Sequence, residues 1–160
     1  MSTIVKEQSI SPKCRKQLQS LKNIPLEEEM YICLDFDGTV VDHRYPEIGP
    51  PVPHAIPWLK KLLRCNAKLI LFTMRSDSEK NGPLLSEAVD YLQGNGITLY
   101  GVNRNPEQDR WTSSPKAYGE VYVDDAAFGC PLVQPKGFAR PCVDWKKVGP
   151  QLEHMCLSRR

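Results

Sequence analysis

Two pairs of carboxylates stand where chemistry could be done. Asp35 and Asp37 close the run Tyr31-Ile32-Cys33-Leu34-Asp35-Phe36-Asp37-Gly38-Thr39, and Asp124 and Asp125 close a shorter apolar run at 121–123. The first run begins apolar and reads as a buried strand. Strand side chains alternate faces, so Asp35 and Asp37 start out on the same side. Gly38 frees the backbone to turn sharply just past them. Two carboxylates held together at a strand end repel each other unless a cation joins them, and hard oxygen donors suit a hard ion such as magnesium. Taken alone, an Asp-Gly pair also closes many strands as a simple turn. Further polar strand ends, in order along the chain, separate the two interpretations.

The elements that must position these groups alternate along the chain. Residues 40–57 carry proline at 46, 50, 51, 53 and 57, which predicts a stiff looped excursion holding His43 and Arg44. Residues 55–66 read as an amphipathic helix through Ile56, Leu59, Leu62 and Leu63. Residues 68–73 form the next strand, which ends in the hydroxyl of Thr73 with Arg75 just beyond. A second helix over 83–93 turns Leu85, Ala88, Val89 and Leu92 inward and closes at Gly94 and Gly96. A third strand covers 97–102, and 103–114 is polar and irregular, with Trp111 offering a stacking surface or a packing contact. After the strand at 121–123 come a short edge strand or loop at 138–143 and a closing helix capped by Asp144, interrupted by Gly149 and Pro150. Four strands alternating with helices predict an α/β fold with a doubly wound, Rossmann-like parallel sheet. Right-handed crossovers would place the Asp35 strand centrally, between those ending at Thr73 and Asp124. Ligands bind such sheets at the carboxyl edge.

Asp-Phe-Asp-Gly-Thr after an apolar strand, a later strand ending in Thr73, then Lys116 and Asp124-Asp125 resemble the four motifs of the haloacid dehalogenase (HAD) superfamily of phosphohydrolases. The resemblance covers roughly residues 31–157. Lys116 stands eight residues before Asp124, where family members commonly have a longer, often helical segment. The resemblance implies that Asp35 is the nucleophile that forms an aspartyl-phosphate. Asp37 would be the acid and then the base. Thr73 and Lys116 would meet the transferring oxygens. Mg2+ would be held by the Asp35 and Asp124 side chains and the Asp37 backbone carbonyl, with Asp125 supporting the metal shell or Lys116. Arg44 and Arg75 are candidate substrate contacts, Arg75 through a bidentate bond to phosphate. No gap between motifs holds an inserted cap domain. The chain therefore resembles small cap-less HAD proteins, including a phage and bacterial group with a similar His-Arg-Tyr-Pro loop and a closely spaced Lys…Asp-Asp segment. Water exclusion would then fall to the 40–57 and 103–114 loops, to a large substrate, or to a protein partner or second copy that closes the site.

Composition bounds the rest. The 160 residues suit a phosphohydrolase domain over 30–157 behind an N-terminal arm, 1–29, with room for one short helix from Pro12 through Leu21. Lys and Arg number 21 against 19 Asp and Glu, a net charge of +2, which argues against extended nucleic-acid binding. Six cysteines, at 14, 33, 65, 130, 142 and 156, form no CxxC pair and read as reduced thiols. No apolar run approaches the ~20 residues that cross a bilayer, and the first residues lack a signal pattern. A cytoplasmic protein is expected, without a membrane segment. The expected function is a Mg2+-dependent phosphomonoester hydrolase acting on a nucleotide, a nucleic-acid end or a small phosphorylated metabolite. The alternative is a non-catalytic or regulatory binding protein on the same scaffold. A phosphoacceptor signalling domain would need no second aspartate at 37.

Overall fold

The computed structural model describes residues 29–159. The short helix expected in the arm lies outside the described residues. In chain order the elements are β1 (Met30–Leu34), α1 (Ala55–Arg64), β2 (Ala67–Leu71), β3 (Asp77–Ser78), β4 (Gly82–Pro83), α2 (Leu84–Gly94), β5 (Gly101–Val102), β6 (Val121–Val123), β7 (Leu132–Val133), β8 (Cys142–Val143) and α3 (Trp145–Leu157).

The main sheet has the order β5-β2-β1-β6 with every pairing parallel. The chain steps outward from β1 through β2 to β5, then reverses to β6, which is the doubly wound pattern expected. β1 is central, in register with β2 (Leu34 beside Leu71) and with β6 (Leu34 beside Val123). The strand ends that carry Asp35, Thr73 and Asp124 therefore share one edge.

Alternation along the strands sorts the two faces. Ile32, Leu34, Leu69 and Leu71 join Leu59 and Leu62 of α1, Ala88 and Leu92 of α2, and Leu152 and Cys156 of α3 in the main core. Cys33 and Ile70 point the other way and meet Ala117, with Tyr31, Phe72, Tyr100 and Tyr122 around them. All three α-helices thus lie on one face. The opposite face is covered by the irregular segment between β5 and β6, whose regular structure is a 3-10 turn at Gln108–Arg110. The eight residues after Lys116 hold no helix, as their number dictates.

Helix α3 differs from expectation because it runs unbroken through Gly149 and Pro150. A Cβ at position 149 would lie 2.2 Å from the Trp58 ring, so glycine lets α3 lie directly on α1. Pro150 stands inside the helix without the N–H that proline lacks, and α3 continues past it to Leu157. Asp144 caps the helix as expected, accepting from the Lys146 N–H at 3.2 Å. The third strand pairs only at Gly101–Val102 rather than over 97–102, being an edge strand with a single neighbour. Cys142–Val143 pairs antiparallel with Leu132–Val133. No helix among the described residues is long and apolar enough to cross a membrane.

Candidate active site

The carboxyl edge gathers three acids. Carboxylate oxygens of Asp35, Asp124 and Asp125 lie within 4.8 Å of one another. Asp35 arrives on β1, and its N–H still donates to Val123 O at 2.9 Å, which locks the ends of β1 and β6 together. The turn after it is tight. Gly38 has φ +85, its N–H donates to Val41 O at 2.6 Å, and Val40 and Val41 donate back to Phe36 O. A Cβ on Gly38 would lie 2.3 Å from His43 Nε2 and 2.6 Å from the Asp125 carboxyl. Glycine is thus needed here both for the backbone and for the space.

Thr39 ties the acids together. Its hydroxyl donates to Asp35 Oδ2 at 3.4 Å and accepts from the Asp125 N–H at 3.2 Å. Trp145 on α3, itself buried, donates its indole N–H to Thr39 O at 2.7 Å. His43 Nε2 stands 2.9 Å from Asp125 Oδ2. Burial pushes the Asp35 carboxyl up to about 7 against an opposing N–H bond from Phe36, and the negative charges of Asp124, Asp125 and Asp37 push the same way. The donor set is all carboxylate oxygen, and like charges crowd a half-buried acid. Asp35, Asp124 and Asp125 are thus a group that could hold a metal ion, with the hard oxygen donors that a divalent cation takes.

The other expected residues are not all brought to this cluster. Asp37 turns to Arg75, which donates from Nε to Oδ2 at 2.7 Å and from Nη2 to Oδ1 at 2.8 Å. The remaining Arg75 bonds go to Pro46 O at 2.9 Å and Glu47 O at 3.0 Å. Arg75 is only 2% exposed and lies between the Phe36 and Tyr45 rings. It is therefore not a free phosphate ligand, because every guanidinium nitrogen is engaged. Arg44 is held in part: Nε donates to Asp42 at 2.9 Å and Nη2 to Gly137 O at 3.0 Å, while the side chain remains exposed. The cause is Asp42, which is fully buried and also accepts from the Ala139 N–H. Thr73 lies at the edge, its N–H donating to Asn103 Oδ1 at 2.9 Å and its hydroxyl accepting from the Arg75 N–H at 3.2 Å. Lys116 stays outside the cluster, with Nζ 5.1 Å above the Tyr122 ring.

His43, a candidate substrate contact from its place in the loop, is instead bonded to Asp125, while Asp42 and Asn103 are the contributors whose roles composition and periodicity do not announce. Only the proline-rich setting of His43 and Asp42 marks their loop as fixed. Among the described residues the five cysteines are free thiols.

No protein-family model matches the chain, and no curated protein sequence matches it. A solved structure of a conserved protein from Bacteroides thetaiotaomicron is similar, with a TM-score of 0.63 and 32% sequence identity. The match covers 80% of this chain and 93% of that one. The small parallel-sheet α/β domain described above, with its edge of strand-end acids, thus belongs to the same family as that bacterial conserved protein.

Proposed function

We propose that the protein is a Mg2+-dependent phosphomonoester hydrolase of the HAD type, without a cap, that works through an aspartyl-phosphate on Asp35. The observation that carries this reading is the convergence of Asp35, Asp124 and Asp125 within 4.8 Å at the carboxyl edge, behind an Asp-Phe-Asp-Gly-Thr turn. A bound divalent cation would neutralise the acids and the phosphate dianion, which otherwise repel.

The chain's own groups supply the rest. An Asp35 oxygen attacks phosphorus as the ester P–O bond breaks, and the leaving oxygen takes a proton from Asp37. Water then attacks the same phosphorus, Asp37 takes its proton, and the Asp35–phosphorus bond breaks to release inorganic phosphate. To serve as the acid Asp37 would first have to take up a proton from solvent and give up one of its two bonds to Arg75 to meet the substrate oxygen. Thr39 and His43 hold Asp35 and Asp125 in place, through contacts of 3.4 and 2.9 Å. Thr73 lies at the same edge as a neutral partner for a phosphoryl oxygen. Lys116, with Nζ 5.1 Å from the Tyr122 ring, is given no step in this scheme. The substrate class is a phosphorylated small molecule or nucleotide.

One observation favours the second reading, a non-catalytic or regulatory binding protein: the Asp37 carboxylate is fully engaged by a buried arginine. Release of inorganic phosphate from an aryl phosphate and a nucleotide panel, with Mg2+ or EDTA, separates the two. Mg2+-dependent turnover that disappears in Asp35→Asn is the expected result. A folded protein that binds Mg2+ yet releases no phosphate from any substrate would favour the binding role.

A further inference from the structure

The sheet face opposite the helices carries a cleft that the acid edge does not use. It is lined by Trp111, Thr112, Ser114, Lys116, Tyr118 and Tyr122 and measures about 330 Å3, within the ~300–1,000 Å3 of small-ligand sites. Trp111 is 64% exposed and meets Tyr118 edge to face, with ring centroids 5.4 Å apart. Lys116 Nζ stands over the Tyr122 ring and pairs with no acid among the described residues.

The walls are built rather than loose. Gln108, 1% exposed, donates to Ser114 O at 2.9 Å and Lys116 O at 3.1 Å. Its carbonyl oxygen accepts from the Asn105 N–H at 3.1 Å and the Tyr118 N–H at 2.9 Å. Asn105, 2% exposed, donates to Tyr118 O at 3.2 Å. Two buried amides thus spend their hydrogen bonds on fixing the backbone that presents Lys116 and Tyr118. A preformed wall lowers the ordering cost of binding.

The geometry points to a binding site for a nucleoside monophosphate, its base against Trp111 and Tyr118 and its phosphate on Lys116. A neutral ring alone would make no use of the exposed ammonium, and inorganic phosphate alone would make no use of the exposed indole. A nucleotide answers both, because every base has a face that stacks and the phosphate supplies the charge. The site stands apart from the hydrolase reading, since it requires no step at Asp35.

The test is a titration of the full-length chain with AMP in EDTA, followed by tryptophan fluorescence, with adenosine and inorganic phosphate run beside it. Trp145 is buried and Trp58 is packed under α3, so the response reports Trp111. Saturable quenching by AMP is expected, with affinity weakened about tenfold for adenosine and for Lys116→Ala. Calorimetry of Trp111→Ala should show the same direction of loss. Both substituted side chains are exposed, and an unchanged circular dichroism spectrum verifies the fold. No saturable response to AMP, equal binding of AMP and adenosine, or self-association that shields Trp111 from a soluble quencher would each overturn the proposal. Turnover is silent in EDTA, so loss of nucleotide binding and loss of hydrolysis are read separately.

Discussion

Arg75 grips Asp37 with two parallel hydrogen bonds, Nε to Oδ2 at 2.7 Å and Nη2 to Oδ1 at 2.8 Å, in a setting where the arginine is 2% exposed. The same guanidinium reaches Pro46 O and Glu47 O. One side chain therefore joins the turn after β1 to the proline-rich loop.

Removing this fork should act on stability first. Arg75→Ala leaves a carboxylate and two carbonyls without their partner, and is expected to destabilise the fold by about 3 kcal/mol. Arg75→Lys should recover little, because an ammonium cannot reproduce the bidentate geometry. Urea unfolding midpoints decide the matter. A substrate-binding arginine would behave differently, leaving the midpoint unchanged and raising KM.

Asp35 gives the metal-free protein a pH dependence. Its folded-state value of about 7 lies above its ordinary 3.8, because burial and the facing acids Asp124, Asp125 and Asp37 disfavour ionisation. A carboxyl raised in this way favours the folded state fully below the unfolded value and loses that contribution as pH climbs through the folded one. Stability in EDTA should therefore fall from roughly pH 4 to 7 by an amount on the order of 4 kcal/mol at most from this group. Asp35→Asn cannot ionise, so in EDTA its melting temperature should exceed the wild type's at pH 8, with the gap closing at pH 5. A gap of the same size at both pH values would refute the assignment.

The features legible in the sequence are those written in short-range pattern. The apolar runs before Asp35, Thr73 and Asp124 locate three strand ends, and parallel winding brings them to one edge. Asp42 and Ala139 were not legible, because their contact joins residues 97 positions apart in segments without periodicity. The partner of Arg75 lies 38 positions away, and a loop arginine carries no sign of burial in its neighbours. Intrinsic propensity predicts an interruption of helix α3 at Gly149, whereas the ring of Trp58, packed where a Cβ would stand, requires glycine there. Lys116 has the expected order in the chain. The eight residues after it contain no helix, and its Nζ stands on Tyr122 instead of among the acids.

Gly38 offers a sharp test of the turn. Its φ of +85 disfavours any side chain, and a Cβ would meet both His43 and Asp125. Gly38→Ala should cost about 1–3 kcal/mol from the backbone alone and displace the His43–Asp125 contact. The expected signature is a lower melting temperature together with a loss of Mg2+-induced stabilisation. Retention of both would mean that the turn relaxes without disturbing the acids.

Metal binding itself can be read without any substrate. A cation that binds only the folded chain raises stability by about 2.7 kcal/mol when its concentration is one hundred times Kd. Mg2+ should therefore raise the melting temperature of the wild type in a saturable way, and EDTA should reverse the rise. Asp124→Asn and Asp125→Asn each remove one of the three convergent carboxylates, so each should blunt the response. Each should also raise the metal-free melting temperature, because every acid removed relieves repulsion on Asp35. The two effects have opposite signs for the same substitution, a pattern that general damage to the fold cannot produce. A mutant less stable than wild type in EDTA would show that the acid serves packing, and a Mg2+ response equal to wild type in both variants would remove the cluster from consideration as the metal site.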